Sequence, residues 1–138
     1  YEPRIVKELC DSDGNTVKTY ETKEVRRVIS EQTSKTVLKM LEDVVNIGGG
    51  SRAYVSGYRV AGKTGTSETQ QTDTTGRYVV SFSAIAPADD PELVVLVVLD
   101  HPTVGNVSGG LQAARTAGEI VLYRSEYEDF DIYHHNSC

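Results

Sequence analysis

The sequence has no long hydrophobic run, no excess of positive charge and almost no cysteine, and each shortage closes off a class of protein. Its longest apolar stretch, LVVLVVL from Leu93 to Leu99, is far too short to cross a bilayer as a helix. Lys and Arg number 14 against 20 Asp and Glu, a net charge of −6, so the positive field that binds nucleic-acid phosphates is missing. The two cysteines, Cys10 and Cys138, stand near opposite ends with neither a C-x-x-C nor a zinc spacing. They are expected to be incidental thiols. The opening YEPRIVKEL is patterned like a strand and not like a signal peptide. The protein is then cytoplasmic, or an export signal lies upstream of Tyr1.

What is present is the composition of a soluble globular chain: 138 residues, 38% hydrophobic and 25% charged. That is one domain, or a piece of a larger one. RIVKEL and TVKTYE flank CDSDGN, where Asp13-Gly14 signals a hairpin turn. A calcium loop counted from Asp11 fails, because its sixth position is Thr16 and not glycine. EVRRVIS reads as extended. From Ser30 onward Val37, Leu38, Leu41, Val44 and Val45 recur at helical spacing, with Ser30 or Thr33 as N-cap and the glycines 48–50 as the stop. RAYVSGYRVAGKTGT is extended in character and is followed by the Thr-rich SETQQTDTTG. RYVVSFSAIAP and ELVVLVVLD are the clearest strands, joined by PADDP and so antiparallel neighbours. The second is apolar on both faces, which places it centrally in a sheet. LQAARTAGEIVLY is a second amphipathic helix, with Leu111, Ala114, Ala117 and Val121 on one stripe.

The stretch GYRVAGKTGT, Gly57 to Thr66, admits two chemistries. From the left it matches the phosphate loop G-x-x-x-x-G-K-[ST] through Gly57, Gly62, Lys63 and Thr64, with Asp100 after an apolar strand as a magnesium aspartate. A phosphate loop needs Lys and Thr to open a helix whose N-terminal amides bind phosphate. Here GTSETQQTDTTG follows, with nothing to anchor a helix, and Tyr58 and Val60 favour a strand. From the right the stretch ends in K-T-G, a motif of penicillin-recognising enzymes. On a strand, Lys63 and Gly65 share one side and Thr64 and Thr66 the other. Two hydroxyls can hold a carboxylate, the lysine supplies positive charge, and Gly65 clears room for a substrate backbone. If the strand is an edge, its free amides can face an oxyanion.

The ordered series YEPRIVKEL, DGNTVKTYE, EVRRVIS, the helix, the glycine cluster, AYVSGYRVAGKTGTSE, GRYVVSFSAIAPADDPELVVLVVLDHP and the GG…AA helix resembles one family from Tyr1 to about Tyr123. It is similar to the C-terminal half of the transpeptidase domain of class B penicillin-binding proteins, of the division, elongation and sporulation type. Arg115 stands where relatives often carry proline. The resemblance implies a peptidoglycan D,D-transpeptidase that cross-links stem peptides through a serine acyl-enzyme, binds D-Ala-D-Ala and β-lactams, and works outside the membrane on an N-terminal anchor. Carried over, Lys63 organises the proton relay and the anionic substrate. Thr64 and Thr66 bind the terminal carboxylate, Gly65 gives clearance, and the Thr66 backbone N–H is half of an oxyanion hole. No cofactor or metal is implied.

The family's nucleophile box is absent, since no lysine has a serine three positions before it, and no asparagine has a serine two before it for S-x-N. The Thr36 to Lys39 segment TVLK lies inside an ordinary amphipathic helix. The chain is therefore expected to be inactive alone. The alternatives are a non-catalytic D-Ala-D-Ala or protein-binding module and, behind it, the nucleotide binder. Ser51, Ser56, Ser67, Ser81 and Ser83 lack a His–Asp context. His101 reads as a turn residue; His134, His135 and Cys138 form a metal set only if the tail folds back; Tyr54 and Tyr58 pack beside the strand.

The expected fold is α/β (α+β): an antiparallel sheet of at least three strands with flanking helices, on both sides or on one. Its parts are an extended hairpin segment 1–29, a helix 30–47, a K-T-G-bearing sheet 52–100, a helix 109–123 and a tail 124–138. The resemblance implies a five-stranded sheet of which two strands are missing here. The LVVLVVL strand is then uncovered, and the chain is expected either to dimerise through it or to cover it with a terminal segment.

Overall fold

A computed structural model describes residues 1–68, 78–103 and 108–126. The Thr-rich stretch from 69 onward, most of the loop after His101 and the tail with His134, His135 and Cys138 lie outside the described residues. The chain divides into two compact units, the first built on Tyr1–Ser30 and the second on Glu31–Glu126.

In the first unit β1 (Glu8–Cys10) and β2 (Thr16–Thr19) form the expected antiparallel hairpin. Gly14 takes the positive φ of 85° that the turn requires. Asp11 closes the turn: its Oδ1 accepts from the N–H groups of Asp13 and Asn15, which holds its carboxyl below the usual range, the Asn15 amide contributing most. Those aspartates thus shape a turn. EVRRVIS pairs with no other strand among the described residues. Cys10 is disulfide-bonded, which corrects the expectation that it is an incidental thiol.

In the second unit α1 (Glu31–Asn46) begins directly after Ser30, so Ser30 and not Thr33 takes the N-cap position. It ends ahead of Gly48, where a Cβ would stand 2.9 Å from the Val44 backbone. A 3₁₀ turn (Ser51–Ala53) follows. The Tyr58 N–H then bonds the Val55 carbonyl across Gly57, whose φ is 84°. The stretch expected to be extended is thus two turns before β3 (Ala61–Glu68) starts. β4 (Tyr78–Ala86) and β5 (Leu93–Asp100) complete an antiparallel sheet of order β3-β4-β5. α2 (Gln112–Glu126) closes the unit.

Both helices lie on one face of the sheet. Phe82 and Ala84 of β4, and beside them Val97 and Val95 of β5, pack against Val45 of α1 and Ala113, Ala114, Ala117 and Val121 of α2. The small residues of α2 permit close approach: a Cβ on Gly118 would lie 3.0 Å from the Ala53 Cα. The opposite face carries Lys63 and Gly65, Ser81 and Ser83, then Val94, Leu96 and Val98 of β5, which are 68%, 67% and 53% exposed. This corrects the central placement of LVVLVVL. β4 is the middle strand, and β5, apolar on both sides, has only one side covered among the described residues.

Arg59 ties the layers together. Its Nε and one terminal nitrogen bind the two Glu42 oxygens of α1, each at 2.8 Å, and its other nitrogen meets Asp89 at 3.0 Å. Its carbonyl accepts from the Ala88 N–H beyond the cis Ala86–Pro87 bond. The Glu42 carboxylate is only 13% exposed, and the Arg59 hydrogen bonds hold its carboxyl below the ordinary 4.5. A depressed folded pKa gives stability that is complete above 4.5 and lost as pH falls through the folded value. Glu42→Gln is therefore expected to lower stability at neutral pH and to flatten its decline below pH 4.5, read by urea unfolding at both pH values. An unchanged acid limb would remove the pair from the pH response.

Candidate active site

The site is built on β3, an edge strand. The His101 N–H donates to the Tyr78 carbonyl, which fixes the alternation: even residues of β4 bond β5, and odd ones bond β3. Through the register, Lys63 and Gly65 exchange backbone bonds with Ser83 and Ser81. The N–H and C=O groups of Thr64 and Thr66 consequently point away from the sheet, along its outer rim. The Lys63 ammonium reaches round this rim and donates to the Thr64 carbonyl at 2.7 Å.

The side chains fall as the period of two demands. Lys63 and Gly65 lie on the open face, Thr64 and Thr66 on the helix side. Thr64 is half-buried, and Thr66 is exposed. The Thr66 hydroxyl accepts from the Gly109 N–H at 3.3 Å, which leaves its own hydrogen for a carboxylate. The two glycines before α2 were not singled out as site residues. A Cβ on Gly109 would strike the Ser81 and Gly65 carbonyls, and one on Gly110 would strike the Gly49 carbonyl and approach Thr64 Cγ2 at 3.3 Å. They let a loop lie flush against the strand behind both threonines. Their only trace in the sequence was the GG dipeptide ahead of the helix.

Gly65 has a reason internal to the fold. The Ser81 hydroxyl stands 2.5 Å from where a Gly65 Cβ would sit, so a larger residue would displace it.

The phosphate-loop alternative does not survive this geometry. Lys63 and Thr64 lie inside a strand, with no helix N-terminus to gather phosphate. Asp100 pairs with Val79, while Lys63 pairs with Ser83, two strands away and four residues along, a separation of order 15 Å. Asp100 instead contacts the imidazole Nδ1 of His101 at 2.6 Å, and His101 sits just past β5 at φ 50°, as a turn residue. Tyr54 is 58% exposed and lines a cavity of about 300 Å³ with Arg52, Arg115 and Leu122, away from β3. Tyr58 reaches the Ser125 carbonyl at 3.5 Å. Neither tyrosine joins Lys63. Thr36 donates to the Gln32 carbonyl inside α1, as an ordinary helical hydroxyl does.

A family model described as the penicillin binding protein transpeptidase domain matches residues 1–122. The chain belongs to that family. Among curated proteins, this transpeptidase segment is 44% identical over 127 residues to stage V sporulation protein D of Bacillus subtilis, covering 88% of the chain and 19% of that protein. It is 38% identical over 100 residues to the peptidoglycan D,D-transpeptidase FtsI of Escherichia coli, covering 69% of the chain and 17% of FtsI. The transpeptidase segment thus spans less than a fifth of these relatives. Among solved structures, penicillin binding protein 3 of Mycobacterium tuberculosis complexed with aztreonam superposes with a TM-score of 0.77 at 33% identity, over 93% of this chain and 31% of that one. The FtsI4 transpeptidase domain of Legionella pneumophila matches 68% of this chain and 35% of its own, at 35% identity and a TM-score of 0.60.

Proposed function

We propose that this segment is the substrate-binding wall of a peptidoglycan D,D-transpeptidase. The observation that carries the proposal is the rim of β3, where a lysine, two threonines and outward-facing backbone groups line one free edge. In this reading a serine supplied from outside the segment attacks the carbonyl between the last two D-alanines of a stem peptide. The terminal D-alanine leaves, and an amine of a neighbouring stem takes the acyl group.

The Thr66 N–H points off the sheet and serves as one donor to the oxyanion that forms during attack. The Thr64 and Thr66 hydroxyls receive the terminal carboxylate, with Lys63 adding positive charge from the other face. Lys63 also stands at the proton path to the nucleophile. Its bond to the Thr64 carbonyl keeps the ammonium at the rim, ready to exchange that carbonyl for an anionic ligand. A β-lactam presents a carboxylate and a reactive carbonyl to the same rim and is bound the same way. Peptidoglycan lies outside the cytoplasmic membrane, so the domain works there, held by an anchor elsewhere in the protein. Among the described residues no helix is long and apolar enough to cross a membrane.

The test uses a fluorescent penicillin. The 138-residue chain is expected to show no covalent label, while a complete transpeptidase domain carrying this segment is labelled on a serine outside it. Labelling of the chain by itself would overturn the placement of the nucleophile. A complete domain that neither labels nor releases D-alanine from a stem peptide would overturn the function.

A further inference from the structure

Resting on the function proposed above, we infer that Arg59 is a positioning residue for β3, holding the start of the strand where Lys63 and Thr66 face the substrate. In that function the outer side of β3 receives the substrate, so the strand has backbone bonds on its β4 side alone. Its placement matters, because a reacting group about 1 Å out of position costs about 10²-fold in rate. The ladder fails at this end for a chemical reason. The odd pairs Ala61–Ile85, Lys63–Ser83, Gly65–Ser81 and Ser67–Val79 exchange backbone bonds, and the next in register is Arg59 with Pro87. Proline has no N–H to give. The Ala88 N–H donates to the Arg59 carbonyl instead, at 2.8 Å, so the ladder ends one residue out of step.

The Arg59 side chain closes the same corner. Its fork takes both Glu42 oxygens on α1, and its remaining nitrogen meets Asp89, the residue after Ala88. One side chain thus ties the approach to β3 both to the helix layer and to the β4–β5 link. An ion pair between fully exposed groups would fix little, and the Arg59 side chain is half exposed. Here the fork is bidentate and the Glu42 carboxylate is nearly buried, the geometry in which a planar guanidinium sets a direction as well as a distance. Between Arg59 and Lys63 stand Val60, Ala61 and Gly62, all buried. A close-packed interior transmits strain, so a shift at Arg59 has little slack to absorb it before Lys63.

The test uses a complete transpeptidase domain and a fluorescent penicillin, with affinity and the acylation step measured apart and rates taken per folded molecule. Arg59→Gln is expected to slow acylation about 10- to 100-fold while affinity changes less. Arg59→Lys keeps the charge without the fork and is expected to fall between that variant and the parent. Glu42→Gln leaves the arginine in place and is expected to slow acylation less than Arg59→Gln. The double variant is expected to be no slower than Arg59→Gln alone, because both changes remove one shared contact. Val121→Ala, which empties a buried site on α2, is expected to lower stability and leave acylation per folded molecule unchanged. If Arg59→Gln and Glu42→Gln lose stability yet acylate within about twofold of the parent, Arg59 is a structural tie only and the inference is overturned. Losses that simply multiply in the double variant overturn it as well. A parent domain that takes no label overturns the function proposed above, and this inference with it.

Discussion

Replacing Lys63 with methionine in a complete transpeptidase domain is expected to slow acylation by a fluorescent penicillin about 10²- to 10⁴-fold. The range is what a positioned proton-transfer group or a charge aimed at a developing anion contributes. The side chain is exposed on a strand whose backbone bonds run through its own N–H and C=O to Ser83, so its removal leaves the sheet intact. What is lost is the ammonium now resting 2.7 Å from the Thr64 carbonyl at the rim. Methionine keeps most of the stem's length and apolar cover while removing the charge. Lys63→Arg is the informative control. It keeps the charge but replaces a compact ammonium with a broad planar fork, so it restores carboxylate attraction better than proton transfer. The expected pattern is weak affinity and slow acylation in methionine, and near-normal affinity with slow acylation in arginine. Acylation within about threefold of the parent in both variants would remove Lys63 from the chemistry.

The strand bearing that lysine was legible in the sequence for a simple reason. A period of two and β-branched flanks identify a strand from local residues alone, and the same period assigns Lys63 and Thr64 to opposite sides. The hairpin at Gly14, the helix stopped by Gly48 and the β4–β5 pair joined by PADDP were legible on the same local terms. Three features were not legible on those terms. LVVLVVL reads as a central strand because its residues are apolar on both faces, yet burial depends on what covers each face, and among the described residues only one is covered. The extended reading of residues 52–60 missed a 3₁₀ turn and the turn at Gly57, since bulky residues such as Tyr54, Val55 and Tyr58 have strand propensity that local hydrogen bonding overrides. Gly109 and Gly110 matter because of what lies against them, Gly65, Ser81 and Gly49, and no spacing rule connects those positions. The strand that carries Lys63 and the two threonines was thus readable, whereas the loop packed behind it was not.

Phe82→Ala is expected to destabilise the unit Glu31–Glu126 by about 3–5 kcal/mol, the cost of emptying a fully buried aromatic site. Phe82 is 0% exposed on the central strand and is the largest fully buried side chain among the described residues. Its ring fills the space that two glycines leave open. A Cβ on Gly50 would lie 2.9 Å from Phe82 Cε2, and one on Gly62 would meet the ring head-on. The side chain therefore holds the end of α1 and the start of β3 at once. Its neighbours are mostly alanine and valine, short residues on a fixed sheet that have little reach to refill the void. Domains of this size have about 5–15 kcal/mol in total, so the variant is expected to lose a large part of its stability, seen as an earlier urea midpoint at nearly unchanged slope. Phe82→Leu, which keeps much of the volume, is expected to cost clearly less. Because Gly62 lies directly under the ring and directly before Lys63, the alanine variant is also expected to reduce penicillin acylation in a complete domain under conditions where it remains folded. The result that would break this link is a variant less than about 1 kcal/mol weaker than the parent, since the ring would then not be what seats the edge strand against the core.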